Sequence, residues 1–280
     1  MIEKPGTLYL CATPIGNLED MTYRAVRILS EVAVIAAEDT RHTRKLLSHF
    51  DIHTRLISYH EHNKIERGPE IVERLLAGDD VAVVSDAGLP GISDPGADLV
   101  ALAVAAGITA VPLPGANAAL SALVCSGLDT TLFSFIGFLP IGKKKRRELI
   151  ASFVGSPYTM VFYESPHRIK TTLTELRSAF GDRPAVAARE LTKKFEEFIR
   201  GTLDSLEIHF SQHVPRGEFT LIVAGQPDCE KTEINLEEQV PLVEAVLAMM
   251  ETGITKKDAI KAVATQRGLP KREVYQAVLG

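Results

Sequence analysis

The stretch Val81–Gly96 constrains the fold more than any other part of this sequence. It has the sequence VAVVSDAGLPGISDPG, and its first four residues are typical of a strand buried on both faces of a parallel sheet. The small residues and turn formers that follow predict a loop in which backbone amides can approach a ligand closely. Asp94 as the N-cap and Pro95 as the first helical residue predict a helix that stops at Gly107. Open α/β sheets bind their ligands at such loops, where a strand's carboxyl end leads into a helix.

The same alternation of apolar runs and helical patterns extends to about residue 226, which predicts an α/β fold. We predict strands at 7–12, 32–37, 56–59, 81–85, 108–112, 132–138, 159–163, 185–189 and 219–224. We predict helices at 22–30, 43–50, 65–77 and 168–180. The expected organisation is an N-terminal α/β domain (1–115), a second α/β domain (116–227), and a linker with a small basic helical unit (228–280).

That last unit is expected to contain three helices. The first covers 241–252, the second is capped by Thr255 and Asp258 and ends at Gly268, and the third starts at Pro270. Its surface is predominantly basic, which is typical of a helix-turn-helix unit that contacts nucleic-acid backbone. A capping bundle with a solvated surface is the alternative.

Composition narrows the class of protein. A net charge of −5 over 280 residues argues against coating nucleic acid by bulk charge, although it permits a local basic patch. The three cysteines are far apart, which fits a reducing cytoplasm and offers no zinc-ligand spacing. His60 and His62 could share one face of a strand, but they lack a third ligand, so we expect no metal centre. We see no secretion signal and no membrane-spanning apolar run, so we expect a cytoplasmic protein.

Three predicted strands lead into loops rich in proline and glycine, at 13–17, 86–95 and 114–117. The carboxyl ends of parallel strands share one edge, so these loops are expected to meet in a single crevice. The alternative is that proline and glycine simply end the strands. The P-loop motif and a G-x-G-x-x-G after the first strand are both absent. A ligand with an adenosine and a zwitterionic amino acid suits the crevice better, with Asp86 for a ribose hydroxyl or a cation.

Clusters of ionisable residues follow other strands. The segments 163–168 and 189–194 lie where catalytic groups are expected, although surface ion pairs such as Arg189 with Glu196 would explain them equally. The segment 38–45 and the unbroken basic run Lys143–Arg147 indicate an anionic substrate. The basic residues predicted to contact RNA are Arg41, Arg44, Lys143, Lys144, Lys145, Arg146, Arg147, Arg168, Lys256, Lys257 and Lys271.

Six strings carry a resemblance to a known family. They are ATPIGNLEDMT (12–22), AEDTRHTRKLL (37–47), SYHEHN (58–63), SDAGLPGISDPG (85–96), FYESPHR (162–168) and RELTKKFEE (189–197). In this order, and over nearly the whole chain, the sequence resembles the ribosomal RNA small subunit methyltransferase I family, which has the tetrapyrrole methylase fold. Two positions depart from its usual pattern: Leu89 replaces a threonine, and Asn117 replaces a serine.

The resemblance implies two α/β domains of tetrapyrrole methylase type with S-adenosylmethionine in the cleft between them. The implied reaction methylates the ribose 2′-hydroxyl of cytidine 1402, in the decoding centre of 16S ribosomal RNA within the small ribosomal subunit. The resemblance also implies a homodimer. Carried over by position, the implied cofactor contacts are Pro14, Gly16, Asp86, Ala87, Gly88, Leu89, Gly91, Ile92, Ser93, Ala116, Asn117, Ala118, Tyr163, Arg189, Glu190 and Leu191.

The chemistry of that reaction requires a proton acceptor. A ribose hydroxyl is a poor nucleophile at neutral pH, so the site must align its oxygen with the methyl group and accept its proton. The candidate proton acceptors are Glu38, Asp39, His60 and Glu164, and we expect Arg41, His60 and Arg168 to hold phosphate or ribose. Two alternatives remain open. The basic segments argue against a small-molecule methylase of the same fold, and the three loops argue against a non-enzymatic RNA-binding or ribosome-assembly protein.

Overall fold

The structure is a computed structural model that describes residues 4–226, 242–251, 253–266 and 269–279. Contacts divide the chain into two units, residues 1–226 and residues 227–280. The predicted polar linker and Gly268 lie outside the described residues. The first unit holds two five-stranded sheets, as expected of a two-sheet α/β fold. The boundary predicted near residue 115, between these sheets, stays a prediction.

The first sheet is entirely parallel. Its strands are β1 (Leu8–Cys11), β2 (Val34–Ala37), β3 (Leu56–Ser58), β4 (Val81–Val84) and β5 (Ala110–Leu113), in the order β3-β2-β4-β1-β5. Every residue of β2 and β4 is buried, because helices cover both faces of a parallel sheet. Pro112 lies in β5, an edge strand in which the hydrogen-bond donor that proline lacks is not required.

Five helices accompany this part of the chain: α1 (Tyr23–Glu31), α2 (Thr40–His49), α3 (Lys64–Leu76), α4 (Gly96–Ala105) and α5 (Ala118–Val124). Helix α2 starts three residues earlier than predicted because the Asp39 carboxylate accepts a hydrogen bond from the Arg41 amide. The predicted start of α4 is also corrected. Pro95 is its N-cap, and the Asp94 carboxylate caps Gly96 at 2.7 Å. Gly107 follows α4 with a φ of +71°, as expected of a helix stop.

The second sheet is mixed. Its strands are β6 (Phe133–Phe138), β7 (Thr159–Glu164), β8 (Pro184–Arg189), β9 (Glu197–Thr202) and β10 (Phe219–Val223), in the order β6-β7-β10-β8-β9. Only β6 and β7 pair in parallel; the other neighbours are antiparallel. Strand β9 was not predicted, because this partly exposed edge strand has a charged sequence without a continuous apolar run.

Helices cover both faces of the second sheet. One face packs with α6 (Lys143–Ser152), α7 (Ile169–Phe180) and α8 (Leu203–Gln212) in a core that includes Phe162, Leu173 and Leu206. On the other face, Leu123 of α5 packs with Ile222 of β10. Helix α5 therefore follows the first sheet in sequence but packs on the second.

The C-terminal unit contains α9 (Leu242–Glu251), α10 (Lys256–Gln266) and α11 (Lys271–Leu279), which are the three predicted helices. They share a core that includes Val246, Val263 and Val274. The Thr255 hydroxyl donates to the Asp258 carboxylate at 2.7 Å and accepts from its amide at 3.3 Å, which caps α10. A contact between this unit and nucleic acid stays a prediction. Across the described ranges, no helix is both long and apolar enough to cross a membrane.

Candidate active site

The loops that follow β1, β4 and β5 meet at Gly88. Its amide donates to the Thr13 carbonyl at 3.0 Å, and its carbonyl accepts from the Thr13 amide at 2.9 Å. A Cβ atom at Gly88 would lie 3.4 Å from Ile15 Cγ2 and 3.5 Å from the Ala116 carbonyl oxygen. These are ordinary van der Waals distances, so it is the φ of +82° that favours glycine at this position. The predicted convergence of the three loops is thus confirmed.

A cavity of about 500 Å³ lies beside these loops, and we call it the donor cleft. The first half of the chain lines it with Ile15, Glu38, Asn117, Ala118 and the segments 85–89 and 92–94. The second half lines it with Phe138, Ala188, Lys193 and the segments 163–166, 190–191 and 218–220. Its volume falls within the range of roughly 300–1,000 Å³ that is usual for small-molecule sites.

Most residues predicted to contact a cofactor line the donor cleft. These are Asp86, Ala87, Gly88, Leu89, Ile92, Ser93, Asn117, Ala118, Tyr163, Glu190 and Leu191. Asn117 is also the N-cap of α5, accepting from the Leu120 amide at 2.9 Å, which serine at this position would do as well.

The other five predicted contacts, Pro14, Gly16, Gly91, Ala116 and Arg189, do not line the cleft. The Lys193 side chain covers Gly16, and the Gly91 amide donates to the Asp94 carboxylate at 2.9 Å. Arg189 pairs with Glu197 at 2.9 Å rather than with Glu196, whose carboxylate accepts from the Thr192 amide.

Strained backbone surrounds the cleft. Ser93 has a φ of +66° and Glu190 a φ of +48°, and both residues line the cavity. Such conformations cost about 1–3 kcal/mol each in non-glycine residues and are concentrated at ligand sites. Because Ser93 and Glu190 keep these unfavourable φ angles, contacts with surrounding residues, rather than the backbone preferences of the two residues, determine the shape of the cleft there.

Glu38 stands at the junction between the donor cleft and a second, polar cavity. This outer recess of about 360 Å³ is lined by Glu38, Asp39, Thr40, Arg41, Ser58, His60 and Asp86. Burial raises the pKa of Glu38, and the negative charges of Asp86 and Asp94 raise it further, against the hydrogen bond from the Asp86 amide. The carboxyl of Glu38 therefore holds a proton more readily than an exposed glutamate.

The recess brings three of the four candidate proton acceptors together, but they are not equivalent. Arg41 donates to both oxygens of the Asp39 carboxylate, at 3.2 and 2.9 Å, and these bonds lower the pKa of Asp39 to about 2. Asp39 is thus a weak base. The expectation that His60 and His62 share a strand face is wrong, because β3 ends at Ser58 and both residues follow it.

Glu164, the fourth candidate, is unsuited to accepting a proton from substrate. Its side chain is 1% exposed, and it accepts hydrogen bonds from the Thr172 hydroxyl at 2.6 Å and the Ser165 amide at 2.9 Å. Arg168 and Arg146 lie 3.6 and 3.9 Å away. Because its oxygens are occupied by these partners, Glu164 acts as a structural anion.

Arg146 corrects the prediction for the basic run. It is 5% exposed, its guanidinium bonds to Glu175, and its Nη2 donates to the Thr172 hydroxyl at 2.6 Å. Arg146 is therefore a structural cation and not an RNA contact. The run forms the first turns of α6, and its other members remain exposed: Lys143, Lys144, Lys145 and Arg147.

Sequence reasoning missed several lining residues on the second sheet. Lys193 Nζ lies 3.0 Å from Glu190 Oε1 and 2.8 Å from Glu218 Oε2, forming an ion-pair triad along the cleft. Phe138 and Thr220 also line the cavity. Glu218 and Thr220 lie near the start of β10, where the predicted apolar strand provided no signal for a site.

Among the described residues, no group of three histidine, cysteine, aspartate or glutamate side chains is placed to hold a metal ion.

Comparison with known proteins identifies the family of this chain. Residues 7–207 match the family model of the Tetrapyrrole (Corrin/Porphyrin) Methylases. The chain is 51% identical to Ribosomal RNA small subunit methyltransferase I of Halalkalibacterium halodurans, across 96% of this chain and 93% of that protein. It is 49% identical to the Bacillus subtilis protein of the same name, across 97% and 94%. The crystal structure of uroporphyrin-III-C-methyltransferase from Thermus thermophilus shares the fold, with a TM-score of 0.54, 20% identity and coverage of 78% and 94%. The chain is thus a methyltransferase and belongs to the ribosomal RNA small subunit methyltransferase I family of the tetrapyrrole methylases.

Proposed function

We propose that this protein transfers a methyl group from S-adenosylmethionine to the ribose 2′-hydroxyl of cytidine 1402 in 16S ribosomal RNA of the small subunit. The observation that carries the proposal is the junction at Glu38 and Asp86, which both line the donor cleft and the outer recess. A donor in the cleft and a sugar in the recess would meet beside a carboxylate. The relatives named above, which carry an rRNA methyltransferase name, support this substrate class.

The charges of the cleft fit this methyl donor. Lys193 pairs with Glu190 and Glu218, and Arg146 and Arg168 lie beside Glu164. Glu38, Asp86 and Asp94 form no ion pair within the described part of the chain and leave the lining negative. A negative lining attracts a ligand with sulfonium and ammonium groups. When bound, S-adenosylmethionine supplies an electrophilic methyl group. Asp86, Asn117 and backbone of the 86–93 loop are the groups we expect to hold it.

Glu38 is the proposed proton acceptor. Its raised pKa makes it a better base than Asp39, and the Asp86 amide holds one of its oxygens at 3.4 Å. His60 is the proposed ribose or phosphate ligand, because its Nδ1 is buried and has no hydrogen-bond partner among the described residues. The Arg41 guanidinium is paired with the Asp39 carboxylate. It can therefore hold a phosphate only if it also keeps Asp39 as a partner or releases it.

The RNA would be bound by exposed basic side chains near the cleft. The exposed members of α6 follow Phe138, a cleft residue, by only a few positions. Arg44 is exposed on α2, whose first residues line the recess. Phosphate contacts of this type predict binding that weakens with salt. Binding by the C-terminal unit, through Lys256, Lys257 and Lys271, and a homodimeric state remain further predictions.

The test uses small ribosomal subunits from cells that lack this protein. Purified protein and S-adenosylmethionine are added, and nucleosides from the 1402 region are analysed by mass spectrometry. The proposal expects one ribose methyl group at cytidine 1402, formed by the wild type and not by Glu38→Gln. Parallel reactions with naked 16S RNA show whether the substrate is the free RNA or the assembled small subunit. Methylation at another nucleotide, or none in either RNA form, would refute the proposal.

A small-molecule methylase of the same fold is the second candidate. The structural likeness to uroporphyrin-III-C-methyltransferase concerns the fold alone. The basic segments argue against a small-molecule substrate. Arg146 no longer counts among these residues because it is buried, but four exposed basic residues remain on α6.

A further inference from the structure

The edge strand β6 contains a bulge that changes the direction of Phe138. Phe135 is opposite Val161 of β7, Gly137 is opposite Phe162, and Phe138 is opposite Tyr163. Ile136 is the extra residue. Because side chains alternate between the two faces of a strand, one extra residue exchanges the faces of all positions that follow it.

The consequence is visible in the packing. Ile136 packs against the core on one face of the sheet, the core that includes Phe162. An unbulged β6 would place Phe138 on that same face. Instead, Phe135 and Phe138 both contact Tyr163: their ring centroids lie 5.2 and 5.5 Å, respectively, from the Tyr163 ring centroid. The bulge therefore moves Phe138 from the core face to the face of the donor cleft.

Gly137 makes this bulge possible. Its φ is +68°, and a Cβ atom there would lie 3.0 Å from Ser93 Oγ. Ser93 lines the donor cleft and has a strained backbone of its own. The bulge is thus fitted against the cleft loop, which is typical of bulges that direct a side chain at a functional site.

Phe138 remains substantially exposed although it lines the cleft. Its exposed fraction is 56%, whereas neighbouring Leu139 is 2% exposed. The ring contacts Tyr163, and more than half of the residue's surface is open. Exposed Ile141 and the exposed lysines of α6 follow directly in the chain. An open aromatic surface beside basic side chains is the combination that binds unpaired nucleotides, by stacking on the base and by attraction to the phosphates.

We propose that Phe138 is the stacking platform for the base of the target nucleotide. The inference rests on the proposed function and adds how that site recognises RNA. The target ribose must be seated beside the cleft, and an aromatic side chain that stacks on its base would fix the nucleotide there. The open surface of Phe138 lies at the rim of the cleft, so the RNA base, rather than the donor adenine, is its partner.

The experiment compares Phe138→Ala, Phe138→Leu and Phe138→Trp on small subunits that lack the modification. Phe195→Ala is the matched control, since Phe195 is also an exposed phenylalanine, at 63%, but does not line the cleft. For the alanine and leucine variants we expect KM for the subunit to rise roughly 5- to 150-fold, the range for loss of one stacked base. Phe138→Trp and Phe195→Ala should remain within about threefold of wild type. Calorimetry should show S-adenosylmethionine binding unchanged in all four.

Several results would overturn the stacking role. If Phe138→Leu behaves as wild type, the ring is not stacked on a base. If Phe138→Ala weakens donor binding and leaves KM for the subunit unchanged, Phe138 contacts the donor instead. The wild type serves as a separate test of the proposed function. No product from wild type refutes both proposals, whereas equal product from wild type and Phe138→Ala refutes only the stacking role.

Discussion

Glu38 Oε2 accepts a hydrogen bond from the main-chain amide of Asp86 at 3.4 Å, although the residues are 48 positions apart. The Asp86 carboxylate in turn accepts from the Asp39 amide at 3.0 Å. These two bonds connect the ends of neighbouring parallel strands, β2 and β4. They hold the Glu38 carboxyl between the donor cleft and the outer recess, where the proposed reaction needs a proton acceptor.

Glu38→Gln should abolish most of the activity while preserving donor binding. The amide keeps the shape of the side chain but cannot accept the proton, so we expect kcat to fall by roughly 10²- to 10⁴-fold. Single-turnover methylation and calorimetry with S-adenosylmethionine measure the two quantities. Asp39→Asn is the comparison and should lose less kcat, because Asp39 is bound to Arg41. Equal losses in both variants would remove Glu38 as the specific base.

The pH dependence of kcat should identify the same group. A base must be deprotonated to act, so activity is lost as pH falls through the pKa of Glu38, which is raised above its ordinary value of 4.5. Asp86→Asn removes a negative charge that raises this pKa, so the acidic limb should move to lower pH. Asp98→Asn removes an acidic charge that is not among those acting on Glu38, and it should leave the limb in place. If the acidic limb of the kcat profile does not move in Asp86→Asn, a group other than Glu38 is responsible for that limb.

Gly88→Ala should weaken donor binding, because Gly88 lines the donor cleft and its left-handed backbone is strained by any side chain. Gly107→Ala is the matched control. In both variants, placing alanine in a left-handed backbone conformation should lower the free energy of unfolding by about 1 kcal/mol or more. Gly107 has a similar φ of +71°, but a Cβ there would meet nothing within 4 Å. Chemical denaturation should therefore show a comparable loss in both, and calorimetry should show weaker S-adenosylmethionine binding only in Gly88→Ala. Equal donor affinities would exclude a role for Gly88 in donor binding.

Arg146→Met should destabilise the protein by about 3–5 kcal/mol, because it leaves the Glu164 carboxylate buried with fewer compensating partners. The double variant Arg146→Met/Glu164→Gln should recover part of the loss. Exposed Lys144→Ala, on the same helix, should change stability by less than about 0.5 kcal/mol but raise KM for the subunit and reduce its salt dependence. If Arg146→Met weakens RNA binding and leaves stability unchanged, the structural role of Arg146 in the buried network is wrong.

Part of the site was predictable because the signals are local. The run of four apolar residues VAVV identifies β4, and the small residues after it identify a ligand loop, without any knowledge of the partner strands. Capping by Asn117 is likewise a property of neighbouring residues. The family motifs include the loops that the structure brings together around Gly88.

Other features depend on neighbours that are distant in sequence. Five successive basic residues on a helix span more than one turn of 3.6 residues, so at least one turns inward, and only the position of Glu164, Thr172 and Glu175 selects Arg146. Equally, the alternation in β6 places Phe138 in the core until the bulge against Ser93 is known.

The sequence by itself determined the alternation of strands and helices, the ligand loops and the family, because burial pattern and turn chemistry act over a few residues. The tertiary structure decided which carboxylate has a raised pKa, which arginine is structural and which phenylalanine faces the cleft. The physical reason is that desolvation, ion pairing and strand register all depend on groups supplied by other strands and helices.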